Sequence, residues 1–185
     1  MSSLAVRWRG WLGLAVALFL VYGALNLLIA IATPLALQLG GSGAWGVSPV
    51  MSMDGDAALL GRPLQGLRQS DPKLDALLVS GMQSMCAVHL SMATLVLGAT
   101  WFGLRRGERW ALWALALSAV VTVPYFLLIA ANYAAQGAPA MSGLTSIIGL
   151  WVLALVAFVA GLAGLSGTRV STAAGATRPR GPSSI

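Results

Sequence analysis

Charge is what this chain most lacks. Only 9% of its 185 residues are Asp, Glu, Lys or Arg, against roughly a quarter in a water-soluble domain, so it has too few charges to keep a folded surface wet. Cysteine is nearly absent as well. The single Cys86 excludes an intramolecular disulfide, a disulfide-exchange pair such as a quinone-linked thiol oxidase uses, and any Cys-x-x-Cys metal site. The lone His89 excludes a two-histidine metal cage or a bis-histidine haem within one chain, although a homodimer brings two together. Acidic residues number five, Asp54, Asp56, Asp71, Asp75 and Glu108, and none falls inside a long apolar run. A small proton-coupled multidrug exporter needs a membrane-embedded acid, so that class is excluded too.

What fills the chain is apolar: 58% of residues are hydrophobic and the mean hydropathy is +0.83. A helix crossing a ~30 Å hydrocarbon core needs about 20 such residues at 1.5 Å each. Four stretches qualify, 11–32, 77–104, 110–131 and 144–165, and none has an ionisable carboxylate, lysine or arginine in its interior. The fold class expected is an all-α integral membrane protein, an antiparallel four-helix transmembrane bundle. Arg7 and Arg9 ahead of the first stretch, with Ala30-x-Ala32 at its end, imitate a secretory signal. The run is longer than the ~7–15 apolar residues of a signal, however, and reads as an uncleaved span.

Arginine sets the expected orientation. Residues 1–10, the turn 105–109 and the tail 166–185 hold Arg7, Arg9, Arg105, Arg106, Arg109, Arg169, Arg178 and Arg180. On the other side, loop 33–76 dilutes Arg62, Arg68 and Lys73 with four aspartates, and turn 132–143 has no charge. Both termini are therefore expected in the cytoplasm of a multi-pass cell-membrane protein. The formal charge of +6 is a topology signal, with no nucleic-acid partner implied. Ten arginines to one lysine in an Ala, Gly and Leu background point to a GC-rich bacterial genome.

Within the loop, Pro34 and Gly40-Gly41-Ser42-Gly43 are expected to break a helix leaving the first span. Asp56 to Leu60 suits one helical turn, and Asp71-Pro72 supplies an N-cap and first residue for the helix of the second span. The tail, rich in Ser, Thr, Gly and Pro, is expected to be disordered beside anionic lipid. Ala157-x-x-x-Gly161 with Gly164, and Ala114-x-x-x-Ser118-x-x-x-Thr122, permit close helix contact within the bundle or a dimer. Trp8, Trp11, Trp101, Trp110 and Trp113 gather at the arginine-bearing ends, as interfacial aromatics do.

Chemistry has few carriers. On the second span Met82, Met85, His89 and Met92 fall within about 80° of one another at helical pitch, with Cys86 at the edge of that face. Thioether, thiol and imidazole are soft donors that suit Cu(I) or a His/Met-ligated haem, and methionine packing around a core histidine is the structural alternative. His89, near the middle of the span, is expected to be neutral, hydrogen-bonded and turned toward other helices. Asn26 and Tyr125, with Thr145 and Ser146, form with His89 a candidate polar ligand pocket in the outer half, or else bond neighbouring helices. Ser118 with His89 as an intramembrane protease dyad lacks a Gly-x-Ser-x-Gly setting.

Leu104-Arg105-Arg106-Gly107-Glu108-Arg109-Trp110-Ala111 resembles the Arg-x-Gly-x-Arg-Trp-Ala turn of small four-span bacterial membrane proteins, DoxX-like proteins among them. The resemblance implies an inner-membrane accessory subunit linked to redox enzymes, with no catalytic residue to transfer; the first span here carries no lysine. Three functional classes follow: an accessory protein acting through a partner or a second copy, a metal or haem binder on the Met85/His89 face, and a lipid-like ligand binder or enzyme using the outer-half pocket. The cofactor, if any, is not specified by these residues.

Overall fold

A computed structural model describes residues 10–40, 52–139 and 141–176, and among these all regular structure is helical. Four helical segments are long and apolar enough to cross a membrane. The first is α1, Trp11–Gly40. Pro34 lies inside it and does not end it, contrary to the sequence expectation. A proline removes one hydrogen bond, here to the Ala30 carbonyl, and an apolar segment packed along its length tolerates that loss. The described part of the helix reaches Gly40, the first residue of the glycine run.

Two short helices follow, α2 (Met53–Leu60) and α3 (Leu64–Ser70). The Ser52 hydroxyl caps α2 by accepting from the Gly55 amide, and Asp54 and Asp56 sit in its first turn, where the helix dipole favours negative charge. Helix α3 has no counterpart among the sequence expectations. Helix α4 spans Pro72–Gly98 and starts as expected, with the Asp71 carboxylate accepting from the Lys73 and Leu74 amides and Pro72 in the first turn. An Arg68–Asp75 ion pair fastens α3 to it. It continues through a π turn, Ala99–Gly103, and a tight turn, Leu104–Arg106, to Gly107, whose φ of 79° reverses the chain. Arg105 stacks 4.3 Å over the Trp101 ring there.

The third span is two helices and not one: α5 (Arg109–Val120) and α6 (Val123–Ala135). Pro124 has no N–H for the Val120 carbonyl, and the chain loosens over Val121 and Thr122. Helix α7, Met141–Ala176, runs well into the tail expected to be disordered. No proline occurs before Pro179, so nothing in the backbone stops helix propagation from the preceding span. Residues 177–185 of that tail lie outside the described residues, as do 1–9.

Helix α1 is the centre of the assembly and packs along both α4 and α7, while α5 leans on α7 and meets α4 mainly at the turn that joins them. The tightest packing gathers toward that turn: Val16, Phe19, Leu104, Leu112 and Leu115 are almost wholly buried there. Absent side chains set the close approaches. A Cβ at Gly23 would stand 2.8 Å from Leu97 Cδ2, and one at Gly164 would stand 2.5 Å from the Leu12 backbone nitrogen. These contacts fix the register, with Gly23 level with Val96 and Leu97.

At the far end of the bundle α2 is tied down by Tyr133, whose Oη donates to Asp56 Oδ1 at 2.7 Å, both residues being buried. Gly55 beside it has room for no side chain, since a Cβ would lie 2.4 Å from the Pro139 carbonyl oxygen.

Candidate functional site

Helical pitch decides which donors of α4 meet. Met82, Cys86, His89, Ala93, Val96 and Thr100 recur at spacings of four and three, so they form one stripe; His89 is half-buried and the other five are buried. Met82 and Cys86 pack together. Met85, one position from that stripe, is 65% exposed on the bundle surface. Among the described residues no three of His, Cys, Asp and Glu lie close enough to hold a metal ion.

His89 lies seven residues from Val96 toward Pro72, about 10 Å along the helix from the level of Gly23. It therefore lies between that level and the α3 end of α4, midway along the helical run 72–106. Its Nε2 is shielded from solvent and has no hydrogen-bond partner among the described residues, where one was expected. The facing stretch of α1 explains this, since register brings the small, buried Ala30 to that level and no donor or acceptor with it. An unpartnered nitrogen changes the expected result of mutation. His89→Leu, which strands nothing, should leave the unfolding free energy unchanged or raise it by up to ~1 kcal/mol, measured by SDS titration in mixed micelles. A loss of ~1–2 kcal/mol instead would mean that the imidazole is engaged in the membrane.

Several other polar side chains close on the backbone of their own segment. Asn26, 3% exposed, donates from Nδ2 to the Tyr22 carbonyl at 2.7 Å. Thr100 bonds the Val96 carbonyl, Ser118 that of Leu115, Thr145 that of Met141. Such back-bonding satisfies a hydroxyl in an apolar setting without another helix. Tyr125 is 70% exposed and Ser146 is exposed, so the structure does not gather Asn26, Tyr125 and His89 around one space.

A concavity lies elsewhere. A cavity of about 360 Å³ opens between α5 and α7 beside the break before α6, lined by Trp113, Leu117 and Val120 on one side and Trp151, Leu155 and Phe158 on the other. The buried Ala119 and Ala154 form its floor. Edge-to-face ring pairs stand at both ends, Trp113 with Phe158 at 5.2 Å and Phe126 with Trp151 at 6.1 Å. Trp151 spends its indole N–H on Thr122 Oγ1 at 3.1 Å, and the Thr122 hydroxyl donates to the Ala119 carbonyl. The space is apolar throughout. Sequence reading missed it, yet a signal was present: Trp151 sits deep within an apolar span, where a tryptophan serving as an interfacial anchor would not be.

Comparison with protein-family models, curated proteins and solved structures gave no match.

Proposed function

We propose that the protein is a multi-pass membrane accessory protein that works by docking a partner helix, with both termini in the cytoplasm. One observation carries this reading: α4 bears two stripes at heptad spacing, and only one is used. Opposite the stripe packed on α1, residues Leu77, Gly81, Ser84, Val88, Ser91 and Leu95 recur at spacings of four and three, and all six are exposed. Small residues and hydroxyls interleaved with aliphatic ones are what close helix packing in a bilayer needs. Lipid alone is a poor match for them. If Gly23 marks the membrane midplane, Leu77 on α4 lies about 28 Å from it, well beyond a ~30 Å core, and there its 68% exposed side chain faces water unless a partner covers it.

A photoreactive amino acid at Val88 should give a discrete protein adduct in cells, either a second membrane protein or a second copy of the chain. The same group at Leu128, exposed on α6, should give lipid adducts alone. Lipid adducts alone from both positions would sink the proposal.

The orientation rests on arginine at the 105–109 turn and on the termini. In a Cys86→Ala background, Ser70→Cys should react with an impermeant maleimide in intact cells, and Glu108→Cys only after lysis, both positions being exposed. Reversed labelling would turn the bundle over.

A further inference from the structure

We propose that the α5/α7 cavity holds one acyl chain of an anionic phospholipid, whose phosphate is met by Arg109. Three observations converge. The cavity is walled by aliphatic and aromatic groups and opens on the outer surface of the bundle, where Trp113, Leu117, Val120 and Leu155 are all exposed. The Trp151 indole N–H deep in the wall is taken up by Thr122, and the lining is almost wholly apolar, which suits a hydrocarbon occupant. Charge stands at one end of it only. Arg109 is exposed at the start of α5, and helical pitch puts it on the same face as Trp113, Ala116 and Val120.

Length and level agree with this occupant. From Arg109 to Val123 is 14 residues of the third span, about 21 Å. A long acyl chain hanging from a phosphate at the level of Arg109 covers that run. Gly161 faces Leu112 and Gly164 faces Leu12, so the cavity lies at the level of the middle of the helices and the arginines at their edge. Arg106, also exposed, adds positive potential at the same edge, where surface arginines attract acidic headgroups. A guanidinium binds phosphate through paired N–H donors, which a zwitterionic choline headgroup partly shields and a glycerol headgroup does not. The ring pairs at Trp113/Phe158 and Phe126/Trp151 fix the walls, so binding requires little rearrangement. The lipid site presupposes that the spans lie in a bilayer and is independent of the partner proposed for α4.

The test uses the full chain in detergent, mixed with phosphatidylglycerol or phosphatidylcholine of identical acyl chains, with bound lipid counted by native mass spectrometry. The unaltered protein should retain phosphatidylglycerol about fivefold better. Arg109→Gln should abolish that preference and leave phosphatidylcholine retention unchanged, whereas Ala116→Phe, which fills the cavity from its wall, should lower retention of both. Equal retention of the two lipids by the unaltered protein, or a preference that survives Arg109→Gln, overturns the proposal. A second measurement needs no variant: phosphatidylglycerol with a diazirine in its acyl chain should label peptides covering 113–123 and 151–158. Labelling spread equally over the outward faces of α4 and α6 would also overturn it.

Discussion

Gly164→Val will separate α1 from α7 and lower the unfolding free energy by about 3 kcal/mol or more. Overpacking is expensive when the obstructing atoms have nowhere to go. At Gly164 the obstacle is backbone: a Cβ would meet the Leu12 nitrogen at 2.5 Å and its Cα at 2.8 Å. Relief requires that two helices packed along much of their length move apart. In a bilayer this costs contact directly, because helix association there rests on close packing and not on release of water. Gly164→Ala should already cost about 2 kcal/mol. Gly161→Ala tests the distinction between soft and hard obstacles, since its neighbour is the end of the Leu112 side chain at 2.5 Å, which can change rotamer. Its cost should be roughly half as large. Gly149, on the same helix with nothing within 4 Å, is the control, and Gly149→Ala should be neutral or slightly stabilising. SDS titration followed by circular dichroism reads all four variants. Equal effects at Gly164 and Gly149 would mean that α1 and α7 do not pack as described.

The four spans were legible because bilayer thickness imposes one length on every crossing helix, and apolar runs of that length are rare by chance. Asp71-Pro72 and Gly107 were legible because capping and left-handed backbone are local demands with few residue solutions. What sequence could not show is any feature that depends on two distant segments meeting. Pro34 was read as a stop because proline alone removes a hydrogen bond; the helix persists because the surrounding contacts outweigh that single loss. At Pro124 the chain loosens enough over Val121 and Thr122 to divide the third span into two helices, a division that the apolar run does not show. For the candidate site, pitch placed Met82, Cys86 and His89 on one face correctly, since periodicity is intrinsic to the helix. The packed stripe is centred on Met82 and runs toward Cys86, whereas the face drawn from the methionines runs the other way, toward Met92, and takes in Met85, which is 65% exposed. The α5/α7 cavity depends on the step at Val121 and Thr122 and on ring orientations across two helices, and neither has a local signature.

A polar contact between distant segments gives the second large effect. Tyr133 and Asp56 lie 77 residues apart, each about 95% buried, and their hydrogen bond holds α2 against the turn between α6 and α7. Tyr133→Phe removes only an oxygen, yet it takes from a buried carboxylate a donor that charge makes strong. The expected loss is about 2–3 kcal/mol. Asp56→Asn keeps an acceptor and relieves the charge, so it should cost less, about 1 kcal/mol. In the double variant the two effects should fall short of their sum by at least ~1 kcal/mol, because both substitutions disrupt the same hydrogen bond. The loss should also be regional. Helix α2 touches the bundle through this bond and through the seat of Gly55 at Pro139, whereas α1, α4 and α7 hold one another without it. In Tyr133→Phe, protease added from the α2 side should therefore cut the 52–70 segment at least tenfold faster, as a local opening free energy reduced by ~1.4 kcal/mol or more dictates. The membrane-crossing fragments should stay associated after that cut. Unchanged cleavage would mean that α2 is held by something other than Tyr133, and cleavage that dissolves the whole bundle would mean that the outer helices are not the separable element their few contacts imply.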